Sequence, residues 1–169
     1  MDDAEKTVRV SELAITIPVV DRETSVVTAA QIIARDSRAS IVVADAKGHP
    51  VAAIAAVDVL RVLVPRYVID DVSLAAVFDE KGADEVWRNV PSRTVGELVD
   101  DDESRTLDIL EVEPDDTLLE VAARMADSRA VVALVKGEPG EALKFVTLPA
   151  VLDAVLHVGH GAKGTGASA

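Results

Sequence analysis

Few residues in this chain have the types and spacing that chemistry needs. Gly159-His160-Gly161-Ala162-Lys163-Gly164 spells G-x-G-x-x-G. That dinucleotide fingerprint requires a strand before it and a helix after it. Here a helical pattern precedes it, and a Gly, Ala, Ser and Thr tail follows. His157 and His160, with Asp153, suggest a metal, but no further ligand stands near them. Asp100-Asp101-Asp102-Glu103 lacks the alternating ligands and the glycine of a calcium loop and reads as a solvated acidic loop. His49 reads as a turn residue, and Asp115-Asp116 as turn and cap residues. The chain has no Cys, which excludes disulfides, thiol nucleophiles, Cys-bound zinc and iron–sulfur clusters. No nucleophile elbow and no Ser, His and Asp arrangement is present, so nothing here makes an enzyme. What remains is polar and paired. Arg38 and Arg129 recur in Ser-Arg-Ala tripeptides, Asp58 and Thr147 stand where apolar runs give way to helical patterns, and each of the four residues has a structural as well as a binding use.

The elements that must position these residues come in two copies. Val10-Ser11-Glu12-Leu13 returns as Val95-Gly96-Glu97-Leu98, an offset of 85 residues. Ser37-Arg38-Ala39 returns as Ser128-Arg129-Ala130 at an offset of 91, and Ala30 and Ala34 match Ala122 and Ala126 at 92. The jump requires an insertion in the second copy, which the stretch 100–106 supplies. Each copy opens with a mixed apolar segment, 13–20 or 107–112, and a turn. Val26, Ala29, Ala30 and Ile33 then follow the i, i+3, i+4, i+7 pattern of an amphipathic helix, as do Leu118, Val121, Ala122 and Met125. Ser25 and Thr117 stand ahead as N-caps, and Thr117 with Glu120 forms a capping box. Strands are expected at 41–44 and 51–56, and at 131–135 and 142–147, with turns at Gly48 and Gly140. A helix closes each copy, over 58–64 and 149–158. The order per copy is β-α-β-β-α.

Between the copies, Pro65 and Pro91 punctuate a segment whose stretches 73–78 and 83–88 look helical. It carries Tyr67, Phe78 and Trp87, three of the four aromatics in the chain. That predicts an ordered connector that docks on the repeats. The tail from 159 onward has nothing to bury and is expected to be disordered. Aromatics are 2% of the chain, so aliphatic residues and alanines must build the core, with little π surface for stacking bases. The formal charge is −13, which argues against nucleic acid and anionic membrane surfaces. No apolar run approaches the length of a bilayer span, and the acidic N-terminus has no secretory pattern. The expectation is a soluble, acidic, cytoplasmic protein.

Two such repeats resemble the tandem cystathionine-β-synthase (CBS) domain pair, or Bateman module. The marks are the Val-[Ser/Gly]-Glu-Leu motif, the turn ahead of a helix with an Ala-rich face, the Val-rich strand and the closing strand-to-helix junction. Family junctions often read Gly-hydrophobic-hydrophobic-Thr/Ser-x-x-Asp. Here they read Ala52-Ala53-Ile54-Ala55-Ala56-Val57-Asp58 and Lys144-Phe145-Val146-Thr147-Leu148-Pro149-Ala150. The connector with Pro65-Arg66-Tyr67-Val68 looks like that of small stand-alone CBS-pair proteins from bacteria. The resemblance implies an α/β (α+β) fold of two pseudo-symmetric repeats, 7–63 and 93–156, joined by a connector over 64–92 and followed by a tail over 157–169. It implies clefts between the repeats, a homodimer, and a regulatory module without catalysis or cofactor. That module would bind AMP, ADP, ATP or S-adenosylmethionine and modulate an enzyme or transporter.

At such a junction an Asp carboxylate can accept hydrogen bonds from both ribose hydroxyls. A Thr hydroxyl and a helix N-terminus can hold phosphate. Asp58 keeps the acid position of the first copy, where the hydroxyl position is Ala55. It can equally favour the first helical turn through the macrodipole. Thr147 keeps the hydroxyl position of the second copy, where the acid position is Ala150, and it can equally be an N-cap. Arg38 and Arg129 can neutralise phosphate in a cleft or stabilise a helix C-terminus. Neither junction holds both groups, so binding is weak, with a pair that binds no nucleotide and serves dimerisation or protein interaction as the alternative.

Overall fold

The computed structural model describes residues 8–101 and 106–161, the last three by backbone alone. The chain divides into two compact units. One is Pro18–Leu107. The other joins Met1–Ile17 to Asp108–Ala169.

In the first unit, β1 (Val19–Asp21) leads through α2 (Val26–Asp36) to β2 (Ser40–Ala44), which lies parallel to β1. β3 (Pro50–Ala55) then returns antiparallel to β2, and α3 (Ala56–Leu63) follows directly. The sheet order is β1-β2-β3. The parallel pair needs a crossover, and α2 supplies it. Ser25 caps α2 by accepting from the Thr28 N–H at 3.1 Å, as its side-chain type requires. β2 is central and buried along its apolar run. Ile41, Val43 and Ile54 pack with Val26, Ala29 and Val59 to form the core. The hairpin turns on Gly48 at φ +82, a left-handed position that suits a residue without Cβ. There the Asp45 carboxylate accepts the N–H groups of His49 and Lys47. His49 is thus part of a turn.

The second unit repeats this plan. β4 (Leu110–Val112) pairs parallel with β5 (Val132–Val135) across α7 (Leu118–Ser128), and β6 (Lys144–Thr147) lies antiparallel to β5. α8 (Leu148–Gly161) closes the copy. Thr117 and Glu120 form the expected capping box. The Thr117 N–H and hydroxyl both donate to the Glu120 carboxylate, holding it below the ordinary Glu range. Phe145 is the one aromatic in the core. α8 continues three residues past the expected end at 158, and 162–169 of the expected disordered tail lie outside the described residues.

Four readings of the sequence change here. First, the compact units do not follow the linear division into 7–63 and 93–156. The short helix α1 (Val10–Leu13), from the first copy's Val-Ser-Glu-Leu, belongs to the second unit. Its Val10 N–H donates to Asp116 O at 3.1 Å, and Val10 is fully buried. The equivalent α6 (Val95–Val99) belongs to the first unit, with Val95 N–H on Thr24 O at 2.8 Å. The opening motifs are exchanged, each seated on the turn ahead of the other copy's first long helix.

Second, the structural offset is 92 throughout α2 to α3 and α7 to α8. Ser37 and Arg129 are the left-handed residues that end α2 and α7. Arg129 therefore corresponds to Ser37, and Arg38 to Ala130. The tripeptide match at 91 is one residue out of phase. Third, the connector contains an extra helix, α4 (Arg66–Asp70), ahead of a 3-10 turn at Val72–Val77 and of α5 (Glu80–Arg88). Fourth, its aromatics do not seal it against the repeats. Trp87 and Tyr67 are each more than half exposed, and Phe78 more than a third. Local bonds shape its turns, among them the Asp79 carboxylate accepting from Gly82 N–H at 2.8 Å.

Candidate functional site

The β3-to-α3 junction is abrupt. Ala55 ends the strand and is also the N-cap of α3, with extended φ and ψ and no side chain to cap with. The Ala56 N–H finds a partner in Ala39 O at 2.8 Å. Asp58 follows at the third helical position, where a capping acid would normally answer a cap hydroxyl. With Ala at the cap, that exchange is lost. Asp58 is 8% exposed and is the one buried charged residue among the described residues. No described residue hydrogen-bonds or ion-pairs with its carboxylate. Neither of its oxygens is a fully buried atom without a partner, so the carboxylate keeps access to solvent. The positive end of α3 stands beside it.

Asp58 lines a cavity of about 230 Å³ that three guanidiniums share: Arg61, Arg66 and Arg93. Arg61 sits three residues beyond Asp58 and so shares its face of α3, yet it makes no ion pair among the described residues. Arg66, at the start of α4, pairs with Asp70 at 3.9 Å. Arg93, just ahead of α6, pairs with Asp101 at 3.3 Å and Glu97 at 3.8 Å. Asp70 and Asp101 line the cavity too. The arrangement offers an acceptor without a donor at Asp58 and several cations held loosely by exposed carboxylates. It can take a ligand that brings hydroxyl donors to the first and anionic oxygens to the second.

The other residues singled out in the sequence stand elsewhere. Thr147 ends β6, opposite Val132, and its hydroxyl makes no hydrogen bond with a described residue. Arg38 is anchored beside the end of α2, with Nε 3.7 Å from Asp36 Oδ2. Its Nε is buried without a hydrogen bond. Arg129 is an exposed helix cap. None of the three lines the Asp58 cavity. Arg61 was detectable from its spacing to Asp58. Arg93 had no such signal, because its place beside Asp58 depends on the exchange of the opening motifs. Among the described residues no group of three metal-ligating side chains exists. His157 Nδ1 instead lies 2.8 Å from the Asp153 carbonyl oxygen. No described helix is long and apolar enough to cross a membrane.

Comparison with known proteins places this fold. No protein-family model matches the chain, and no curated protein matches it. Solved structures do. A CBS domain-containing protein of unknown function from Kribbella flavida is 33% identical, with TM-score 0.71, over 88% of this chain and 99% of that one. The chain belongs to the CBS-domain family, as a protein with a tandem pair of CBS repeats. More distant structures share the fold. CBSX2 of Arabidopsis thaliana in complex with AMP is 17% identical, with TM-score 0.57, over 89% of this chain and 98% of that one. The CBS domain of a bacterial CNNM/CorC family Mg2+ transporter in complex with ATP is 15% identical, with TM-score 0.58, over 88% and 87%.

Proposed function

We propose that this chain is a non-catalytic regulatory module that senses an adenosine nucleotide and modulates a partner protein. The observation that carries the reading is Asp58, a largely buried residue whose carboxylate has no partner among the described residues and which lines a cavity with three arginines. In this reading Asp58 accepts both ribose hydroxyls, and Arg61, Arg66 and Arg93 meet the phosphate oxygens. The AMP and ATP complexes of the distant structures support the ligand class. Affinity is weak, because Ala55 brings no hydroxyl and because Arg66 and Arg93 must first release their carboxylates. Thr147, Arg38 and Arg129 lie outside this set of contacts.

The route from ligand to partner runs through the connector. Pro65 and Pro91 line the Asp58 cavity and also a second, apolar groove on the connector. A ligand that prefers one placement of these two hinges shifts the population of connector arrangements by its differential affinity. The module acts as a homodimer. Val57 and Leu60 on α3, and Leu152 and Val155 on α8, are exposed. Leu60 and Leu152 hold equivalent positions in the two copies, so the same kind of face is offered twice. The alternative is a pair that binds no nucleotide and serves only for association, which the missing hydroxyl at Ala55 and missing acid at Ala150 favour.

Thermal unfolding with AMP, ADP, ATP and S-adenosylmethionine, each with and without magnesium, separates the two. A rise in midpoint with one ligand, absent in Asp58→Ala, supports the sensor. Flat midpoints across the panel leave the association module.

A further inference from the structure

The three guanidiniums of the Asp58 cavity are not held alike. Arg61 lies one turn along α3 from Asp58 and makes no ion pair among the described residues. Arg66 and Asp70 stand 3.9 Å apart, and their side chains are 72% and 67% exposed. Water screens such a pair, so it holds its cation weakly. Arg93 is held more firmly. Its Nη2 donates to Asp101 Oδ2 at 3.3 Å, and both side chains are 36% exposed. Glu97 Oε2 stands 3.8 Å from the Arg93 Nε, but that carboxylate is also committed to the Thr94 N–H at 2.8 Å. The Arg93 carbonyl oxygen accepts the Val26 N–H at 2.9 Å, which fixes the backbone. A change of partner therefore falls to the Arg93 side chain, and Asp101 is the partner it would leave.

We propose that Asp101 sets how the cavity discriminates between nucleotides by their number of phosphates. The inference rests on the reading of this cavity as a nucleotide site. With the ribose at Asp58, the first phosphate meets Arg61, one turn away, and displaces no carboxylate. Further phosphates draw on Arg66 and Arg93, which stand on other elements. Arg66 gives up a weak partner. Arg93 gives up Asp101, whose carboxylate lines the cavity and occupies the guanidinium as a phosphate oxygen would. Asp101 also repels the phosphates directly, and a triphosphate carries more charge to repel than a monophosphate. Asp101 therefore opposes ATP more than AMP.

Isothermal titration calorimetry of the full-length protein with AMP and with ATP, both without magnesium, tests this. Asp101→Asn removes the charge and keeps the size. The expected result is ATP binding at least about fivefold tighter, with the ratio of ATP to AMP affinity at least about threefold higher. Asp101→Glu, which keeps the charge, stays near the parent's ratio. Asp127→Asn removes the same charge from an exposed residue of α7 that does not line the cavity, and it leaves the ratio unchanged. A merely structural role for Asp101 would move the unfolding midpoint and both affinities together, not their ratio. An unchanged ratio in Asp101→Asn, with ATP binding lost in Asp58→Ala, would overturn the proposal and leave the nucleotide site standing. An equal rise in Asp127→Asn would reduce the effect to net charge and overturn it as well. A parent that binds neither nucleotide would overturn the site and the proposal together.

Discussion

Asp58→Ala separates a binding carboxylate from a structural one, because the two roles change different midpoints. In the free protein the carboxylate has no partner among the described residues and lines a cavity. Its place in the first turn of α3 contributes about 0.3–1 kcal/mol. Removing it therefore costs the free protein at most about 1 kcal/mol. At about 2–4 °C per kcal/mol for a chain of this size, the midpoint holds or falls by a few degrees at most. With ligand the loss is larger. At 100 times its dissociation constant a nucleotide adds about 2.7 kcal/mol to the parent, a rise of roughly 5–10 °C. Two charge-assisted hydrogen bonds lost at about 1.5–3 kcal/mol each weaken binding more than about 100-fold. At the same ligand concentration the variant then gains less than about 0.4 kcal/mol, a shift under about 2 °C. Differential scanning fluorimetry of both proteins, with and without ligand, reads all four numbers. A variant whose free midpoint falls by 5 °C or more while its ligand shift stays intact would refute the reasoning and make Asp58 a helix-stabilising residue only.

Other expectations follow from single contacts. Gly96→Val should lower stability by about 1–3 kcal/mol, because a Cβ there would stand 2.9 Å from the Arg22 carbonyl oxygen and backbone must move; chemical denaturation measures it. Ser11, the equivalent residue in α1, should accept Val with little loss. Glu120→Gln should cost stability at neutral pH and nothing in acid. The carboxyl is held below its usual value of 4.5, so its contribution is complete above that value and disappears as pH falls through the lowered one; midpoints of parent and variant should converge there. Leu60→Glu with Leu152→Glu should give a monomer by light scattering without loss of fold, since both residues are exposed in the single chain. A dimer that survives the double change would move the self-association surface elsewhere.

Much of the fold was legible because it is local. The i, i+3, i+4 spacing of Val26 to Ile33 and of Leu118 to Met125 fixes the two long helices. Ser25 and Thr117 start them through bonds to residues three positions away. Continuous Val and Ile runs mark the central strands. Glycines at 48 and 140 mark the turns, both at positive φ. The strand-to-helix junction that carries Asp58 was legible too, but the repeat does not mark the acid itself, because the second copy has Ala150 in its place. The phase of Arg38 and Arg129 was misread, because a three-residue match tolerates a one-residue slip. The left-handed caps at Ser37 and Arg129 do not.

The sequence by itself determined that the chain makes two β-α-β-β-α copies, since periodicity, caps and turns act over a few residues and carry that information in the residues themselves. It determined as well that the core is mainly aliphatic, because aromatics are 2% of the chain. Only the tertiary structure decided where the opening motifs go. Val10 and Val95 each need a buried slot ahead of a capped helix, both copies offer one, and nothing in Val-x-Glu-Leu distinguishes them. The long-range bonds from Val10 to Asp116 and from Val95 to Thr24 make the choice. That choice brings Arg93 beside Asp58. The exposure of Trp87 and Tyr67 was likewise settled only in three dimensions, because hydrophobicity favours burial but does not provide a cover.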